Sequence, residues 1–290
     1  MHITKGVTSH RAKPTDDQID IYAVTHQGKV RAQNQDHFLV GQLKKQMEVM
    51  YTSLSNVSVI PADQERLALF AMVADGVGGH AGGEEASRLA VKEVTRYLSE
   101  SIHVYYTVDT TDDSAFAEAL EAAALRAHDQ VLELRARNPE LGRAASTLSL
   151  LIGVWPRVYL VQLGDSRYYA LRGDELVQIS RDQTIAQDLI DKGVLTPEQA
   201  ARGRWANTLS SAIGGTESKP MVTSIENDWS YVHLLCSDGL TKHISNEQIK
   251  LRLQEMTSSQ QACDALRQDA LDGGGEDNIT VVVGRASKGG

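Results

Sequence analysis

The chain has 290 residues, 41% hydrophobic and 23% charged, with a formal net charge of −9. That apolar content can bury a substantial core in one large domain or two small ones. The acidic balance and scattered Lys and Arg exclude a nucleic-acid partner, which needs a clustered basic face. Cys236 and Cys263 form no CxxC pair and suit no zinc site, so reduced thiols are expected. The N-terminal stretch MHITKGVTSHRAKPTDDQ lacks the apolar run of a secretory signal. The apolar stretch Leu148 to Trp155 is broken by Ser149 and Gly153 and is too short for a bilayer. A cytoplasmic monomer with no membrane partner is expected.

Residues 1–18 are polar and are expected to be frayed and disordered; residues 19–286 read as a single domain. Ile19 to Thr25 alternates apolar and polar, as a strand with one buried face does. Gly28 marks a turn before Val30 and the polar segment Arg31 to Asp36. Residues 41–66 read either as a long hairpin or as a mobile excursion between two strands. Leu67 to Ala74 is a continuous apolar run of strand length that stops at Asp75. Glycines crowd Gly76 to Gly83, after which a helix is expected with a stripe of Ala86, Leu89, Ala90, Val94, Leu98 and Ile102. A second helix is expected from Ser114 to Arg137, capped by Asp113 or Ser114. Its stripe is Phe116, Leu120, Ala123, Ala127, Val131 and Leu134.

Strands then return at Thr147 to Val154 and Val158 to Leu163. A hairpin of Tyr168 to Arg172 and Leu176 to Ile179 turns at Gly173-Asp174. Short helices are expected over Thr184 to Lys192 and Pro197 to Ala201, the second started by Thr196-Pro197. Met221 to Ile225 and Tyr231 to Cys236 read as strands. Ser245 caps a helix running to about Met256, another covers Ser259 to Leu271, and Asn278 to Gly284 is a last strand. Strands and helices are segregated, which predicts an α+β fold of antiparallel sheets covered by helices.

The aspartates share one setting: Asp75, Asp165, Asp238 and Asp277 each lie beside a strand end or a glycine, and Asp36 follows the first strand. One Asp-Gly pair is ordinarily a turn, so the shared setting carries the case. Carboxylates converging from strand ends repel one another unless cations neutralise them. Oxygen donors without a His or Cys cluster suit Mg²⁺ or Mn²⁺. Two such ions, ~3.5–4 Å apart, can activate a bridging water for in-line attack on phosphorus.

The motifs Arg31-Ala-Gln-Asn-Gln-Asp36, Val73-Ala-Asp-Gly-Val-Gly-Gly-His80 with Gly83-Glu84-Glu85-Ala86-Ser87, Leu163-Gly-Asp-Ser-Arg167, Cys236-Ser-Asp-Gly-Leu240 and Glu276-Asp-Asn-Ile-Thr280 follow in order over nearly the whole chain. This set resembles the metal-dependent serine/threonine protein phosphatases of the 2C type, in their bacterial version. The resemblance implies two packed antiparallel β-sheets flanked by pairs of antiparallel α-helices, a four-layer sandwich with a flap at about 184–215. It implies Mn²⁺ or Mg²⁺ as cofactor, two core ions and a weaker third. Asp75 would bridge the core ions and the Gly76 carbonyl would complete one sphere. Asp238 and Asp277 would hold the first ion, and Asp36 would anchor the second, largely through water. Asp165 with Asp238 would support the third, and Arg31 would bind the substrate phosphate in a bidentate fork. The partners implied are phosphorylated proteins, such as a serine/threonine kinase and its targets; a phosphorylated transcription regulator is the alternative.

Animal members of that family carry a histidine two residues after the bridging Asp, where this chain has Val77; the bacterial counterpart corresponds to His80, a candidate general acid. Asp182-Gln183-Thr184 stands where relatives often have Asp-His-Ser. Within the flap, Asn207 and Ser211 are candidates for touching a phosphopeptide. Two rival readings remain. Gly76-Val-Gly78-Gly-His-Ala81 loosely imitates a dinucleotide-binding loop, but two helices follow where that fold needs a strand. A metal-free binding module on the same fold would have lost ligating aspartates, and all remain.

Overall fold

The computed structural model describes residues 12–46, 50–51, 53, 65–78, 80–101, 113–201, 203 and 205–287, the side chains of His80 and Ala81 excepted. In chain order the elements are β1 (Ile19–His26), β2 (Asp36–Lys45), β3 (Glu65–Val77), α1 (His80–Glu100), α2 (Ser114–Arg137), β4 (Ala145–Ser146), β5 (Leu148–Val154), β6 (Arg157–Leu163), β7 (Arg167–Arg172), β8 (Glu175–Gln178), α3 (Ile185–Asp191), α4 (Pro197–Ala201), β9 (Met221–Glu226), β10 (Tyr231–Cys236), α5 (Asp238–Thr241), α6 (Asn246–Gln254), α7 (Ser259–Asp272) and β11 (Ile279–Ala286). One sheet runs β1-β11-β10-β7-β8; the other runs β2-β3-β5-β6-β9, with β4 paired to β3. The pairings are antiparallel.

The central strands read as unbroken apolar runs because both their faces are buried. On β3, Phe70, Met72 and Ala74 face α1 and α2, while Ala71 and Val73 meet Leu160, Tyr168, Leu235 and Val282 between the sheets. On β11, Ile279, Val281 and Val283 turn to the layer of α6 and α7, and Val282 turns inward. The result is the expected four-layer α+β sandwich.

Several expectations shift. The first long helix begins at His80, not after Gly83. Asp113 sits at the N-cap of α2 but makes no capping hydrogen bond; its carboxylate pairs with Arg157 at 3.0 Å instead. Ser245 does cap α6, with a reciprocal bond from Gln248. Of residues 41–66, β2 and β3 pair as far as Lys45↔Glu65, which makes the ends of the segment a hairpin; much of its middle lies outside the described residues. Ile102 lies outside them too. Residues 12–18, expected to fray, are instead strapped to the sandwich. Trp229 Nε1 donates to the Ala12 carbonyl at 2.9 Å, Lys13 donates to the Arg66 carbonyl, and Asp16 pairs with Lys44 and Arg66 at 2.6 Å each.

Candidate active site

The register of β2 and β3 sets Asp36 opposite Asp75 at one end of their sheet. The chain enters that end through a loop held by Asn278, whose Oδ1 accepts from Gln35 N at 2.8 Å. Its Nδ2 donates to the carbonyls of Gln27 and Gln33 at 2.8 and 2.9 Å. Asp36 is buried. Its Oδ2 accepts from Ser237 and Thr280 at 2.7 Å each, so one carboxylate ties the two sheets together. The crowded glycines are explained here. A Cβ on Gly76 would lie 2.3 Å from the Gly83 carbonyl oxygen, so the end of β3 packs directly on the first turn of α1. Glycines thus lie inside the helix they were read as preceding.

Thr147 fixes the other side. Its Oγ1 accepts from Asp75 N at 2.9 Å, its N donates to the Asp75 carbonyl at 2.9 Å, and its hydroxyl meets Ser166 Oγ at 2.9 Å. Thus Asp75 and the turn bearing Asp165 are positioned by one residue. Asp238 opens α5 directly after β10, and Asp277 precedes β11 in the same sheet. Asp75, Gly76, Asp165, Asp238, Asp277, Arg31 and Gln35 all line one cavity of about 1060 Å³, together with Asn207 and Ser211. Asp36 lies beneath it. The backbone of His80 starts α1; its imidazole lies outside the described residues.

Burial is the main electrostatic force on three of the carboxyls. It pushes Asp36 up to about 6 against the Ser237 and Thr280 hydrogen bonds. It pushes Asp75 well above the usual range, helped by the charges of Asp36 and Asp238. Burial and then Asp238 push Asp165 up to about 7. Asp277 behaves oppositely: burial raises it, but Arg31 and Lys242 outweigh burial and hold it below the ordinary value.

Arg31 does not stand free for a phosphate. Its Nε lies 2.7 Å from Asp277 Oδ1 and its Nη2 donates to Asp277 Oδ2 at 2.8 Å. Lys242 Nζ bridges Asp238 Oδ2 at 2.5 Å and Asp277 Oδ2 at 2.8 Å. Among the described residues, no three Asp, Glu, His or Cys side chains close on a common point as they stand. The donor set still fits hard cations: all oxygen, with Asp36 Oδ1 and Asp238 Oδ1 buried and without a hydrogen-bond partner.

The flap region is anchored at both ends. Gln183 takes the histidine position: its Oε1 accepts from Gly164 N at 2.9 Å and its Nε2 donates to the Lys219 carbonyl at 3.0 Å. Arg167 holds the preceding Asp182 with its Nη2 at 2.6 Å. Ser146 and Ile213 exchange backbone hydrogen bonds of 2.9 and 2.8 Å. Ser211 Oγ accepts from Lys219 N at 2.9 Å, an internal role that competes with substrate contact. Lys242, Thr147, Ser237, Thr280 and Asn278 were not singled out from sequence. Of these, Ser237, Asn278 and Thr280 carried a signal, by lying inside quoted motifs.

Fold and site together define a four-layer sandwich that gathers hard oxygen donors at the ends of both sheets. The chain belongs to the protein phosphatase 2C family: residues 60–273 match the family described as Protein phosphatase 2C. Asp75, Asp165 and Asp238 fall inside that stretch. The chain is similar to the serine/threonine protein phosphatase PstP of Mycobacterium tuberculosis, 36% identical over 212 residues, which is 73% of this chain and 39% of the relative. The match thus spans well under half of that relative's length. The crystal structure of Mycobacterium tuberculosis PstP/Ppp superimposes with a TM-score of 0.72 at 31% identity, covering 93% of this chain and 99% of that one. A structure of the PstP catalytic domain in complex with two manganese ions superimposes with a TM-score of 0.70 at 31% identity, covering 93% and 99%.

Proposed function

We propose that this chain hydrolyses phosphoserine and phosphothreonine esters on proteins, with water as the acceptor and two divalent cations, Mn²⁺ or Mg²⁺, as cofactor. One observation carries the reading above others. Asp36, Asp75, Asp165, Asp238 and Asp277 converge from the ends of both sheets with unpartnered carboxylate oxygens among them. In the proposed assignment Asp75 and the Gly76 carbonyl would help to hold the ions. Asp238 and Asp277 would serve the first ion, Asp36 would serve the second, and Asp165 with Asp238 would serve a weaker third. Bound there, divalent cations would lower the pKa of a water and offset phosphate charge.

The chain's own residues do the rest. Arg31, already at the cavity wall, offers a planar fork that matches two phosphate oxygens. Arg135, Arg143 and Lys242 share that wall and favour an anionic substrate. His80 stays a candidate for protonating the departing alkoxide. A cysteine nucleophile has no place here: Cys236 and Cys263 are buried and burial pushes both thiols up to about 12. Cytoplasmic phosphoproteins, a serine/threonine kinase and its targets among them, are the proposed substrates. Among the described residues no helix is long and apolar enough to cross a membrane.

The test is release of phosphate from a phosphothreonine peptide. Activity is expected with added Mn²⁺ and none with excess chelator; full turnover in chelator, or a trapped phosphocysteine, would refute the proposal.

A further inference from the structure

We propose that Lys242 is a built-in competitor for the divalent cations, an internal ammonium that neutralises Asp238 and Asp277 in the metal-free protein and is displaced when metal binds. The inference rests on the metal-dependent function proposed above and adds to it a residue that sets metal affinity.

Asp277 has no oxygen to spare. Its Oδ1 faces Arg31 Nε at 2.7 Å and also accepts from Asn278 N at 2.9 Å. Its Oδ2 accepts from Arg31 Nη2 and from Lys242 Nζ, both at 2.8 Å. Asp238 is divided: Oδ2 is held by Lys242 at 2.5 Å, while Oδ1 is buried and unpartnered. A dication seated on that free oxygen would sit within a few ångströms of the ammonium, where like charges repel strongly. Asp277, in turn, can offer a full lone pair to metal only when its two cationic partners withdraw.

Lys242 is built to withdraw. It sits at the end of the short helix α5, four residues after Asp238. Its side chain is 32% exposed against 16% for Asp238 and 14% for Asp277. A four-carbon stem lets its charge swing into the cavity without moving the backbone. Arg31, with its side chain 53% exposed, leaves by the same opening. Metal binding at this pair is therefore an exchange of cations, and the exchange frees Arg31 for a phosphate.

The sign of the effect separates a competitor from a brace. If Lys242 merely held the two carboxylates in ligating positions, removing it would weaken metal binding. As a competitor, its removal leaves Asp238 without its cation and Asp277 with Arg31 alone, so the metal-free protein is less stable and metal is bound more tightly.

Isothermal titration of the full chain with MnCl₂ reads this directly. Lys242→Met and Lys242→Gln are expected to bind Mn²⁺ about tenfold more tightly than wild type and to melt at a lower temperature without metal. In wild type, acylation of Lys242 followed by peptide mass spectrometry is expected to rise several-fold on adding Mn²⁺, with labelling of exposed Lys192 unchanged. Equal or weaker Mn²⁺ binding in both variants overturns the inference and leaves the proposed function standing. If neither variant folds, the labelling decides: a Lys242 signal unaffected by Mn²⁺ also overturns it. Wild-type protein that binds no Mn²⁺ overturns the proposed function and this inference together.

Discussion

The two sheets bring negative charge to one cleft and neutralise it differently. Asp36 and Asp75, opposite each other on β2 and β3, rely on burial; Asp36 is pushed up to about 6 and Asp75 well above the ordinary range. Among the described residues neither forms an ion pair. Asp238 and Asp277, from the other sheet, hold Lys242 and Arg31. Burial thus favours the protonated form of the first pair, whereas the second carries internal cations. Both devices stand in for charge that a divalent ion would supply. Loading the first half should release protons; loading the second should release side chains.

The largest effect is expected at Asp75. Asp75→Asn should lower kcat/KM by about three orders of magnitude, ~4 kcal/mol of lost transition-state stabilisation. Because it also removes a buried, repelled charge, the metal-free variant should melt higher than wild type by calorimetry. Loss of both activity and stability would show instead that Asp75 holds the fold.

Next comes Arg31. Arg31→Ala should reduce kcat/KM on a small phosphopeptide by one to three decades, about 1.4–4 kcal/mol. Arg31→Lys should recover only part of that, since a point charge lacks the fork. Because Arg31 pairs with Asp277 and is not itself a metal ligand, Mn²⁺ affinity should not fall in either variant. Near wild-type kinetics in both would mean that another group holds the phosphate. A smaller loss is expected for Asp165→Ala, about tenfold in kcat, with two Mn²⁺ still bound by titration; loss of either core ion would place Asp165 in the centre itself.

The smallest effect is on stability against pH, and it separates the halves. Asp36 and Asp165 have folded values of about 6 and about 7 against an ordinary 3.8, so above that ordinary value the unfolded chain binds fewer protons than the folded one. Their contribution to metal-free stability therefore falls as pH rises from ~4 to ~7 and is level beyond. Asp277, held low by Arg31 and Lys242 against burial, contributes stability that is present above its unfolded value and lost in more acidic solution. Metal-free protein should melt a few degrees lower at pH ~8 than at pH ~5, and Asn at position 36 should flatten that slope. A melting temperature that rises over this range would contradict the burial of these carboxyls.

Much of this was readable along the chain. The two-sided burial of β3, β6 and β11 shows as apolar runs, and the amphipathic stripes of α1 and α2 show as three-four spacing. The four aspartates that line the cavity, Asp75, Asp165, Asp238 and Asp277, share the strand-end or glycine setting that singled them out in the sequence. What escaped depends on contacts between distant segments. Lys242 looks like one more surface lysine until α5 turns it back across Asp238 towards Asp277. Ser237 and Thr280 meet over Asp36 only because β2 starts beside the end of β10 and the start of β11. The start of α1 was misplaced because glycine's poor helix propensity argued for a loop, whereas the close approach of Gly76 and Gly83 demands glycine inside the helix. The strap of residues 12–18 escaped because its polar sequence hides the pairing of Asp16 with Lys44 and Arg66.

Anomalous diffraction from crystals grown with Mn²⁺ tests the central claim most directly, that these aspartates form a centre for two divalent cations. Two strong peaks are expected, both touching Asp75, with Asp238 and Asp277 on one and Asp36 reaching the other, and with the Lys242 ammonium moved off the carboxylate pair. Asp75→Asn crystals should lose at least one of the two. Wild-type crystals with no peak in this cleft, or with both peaks retained when Asp75 is changed, would contradict it.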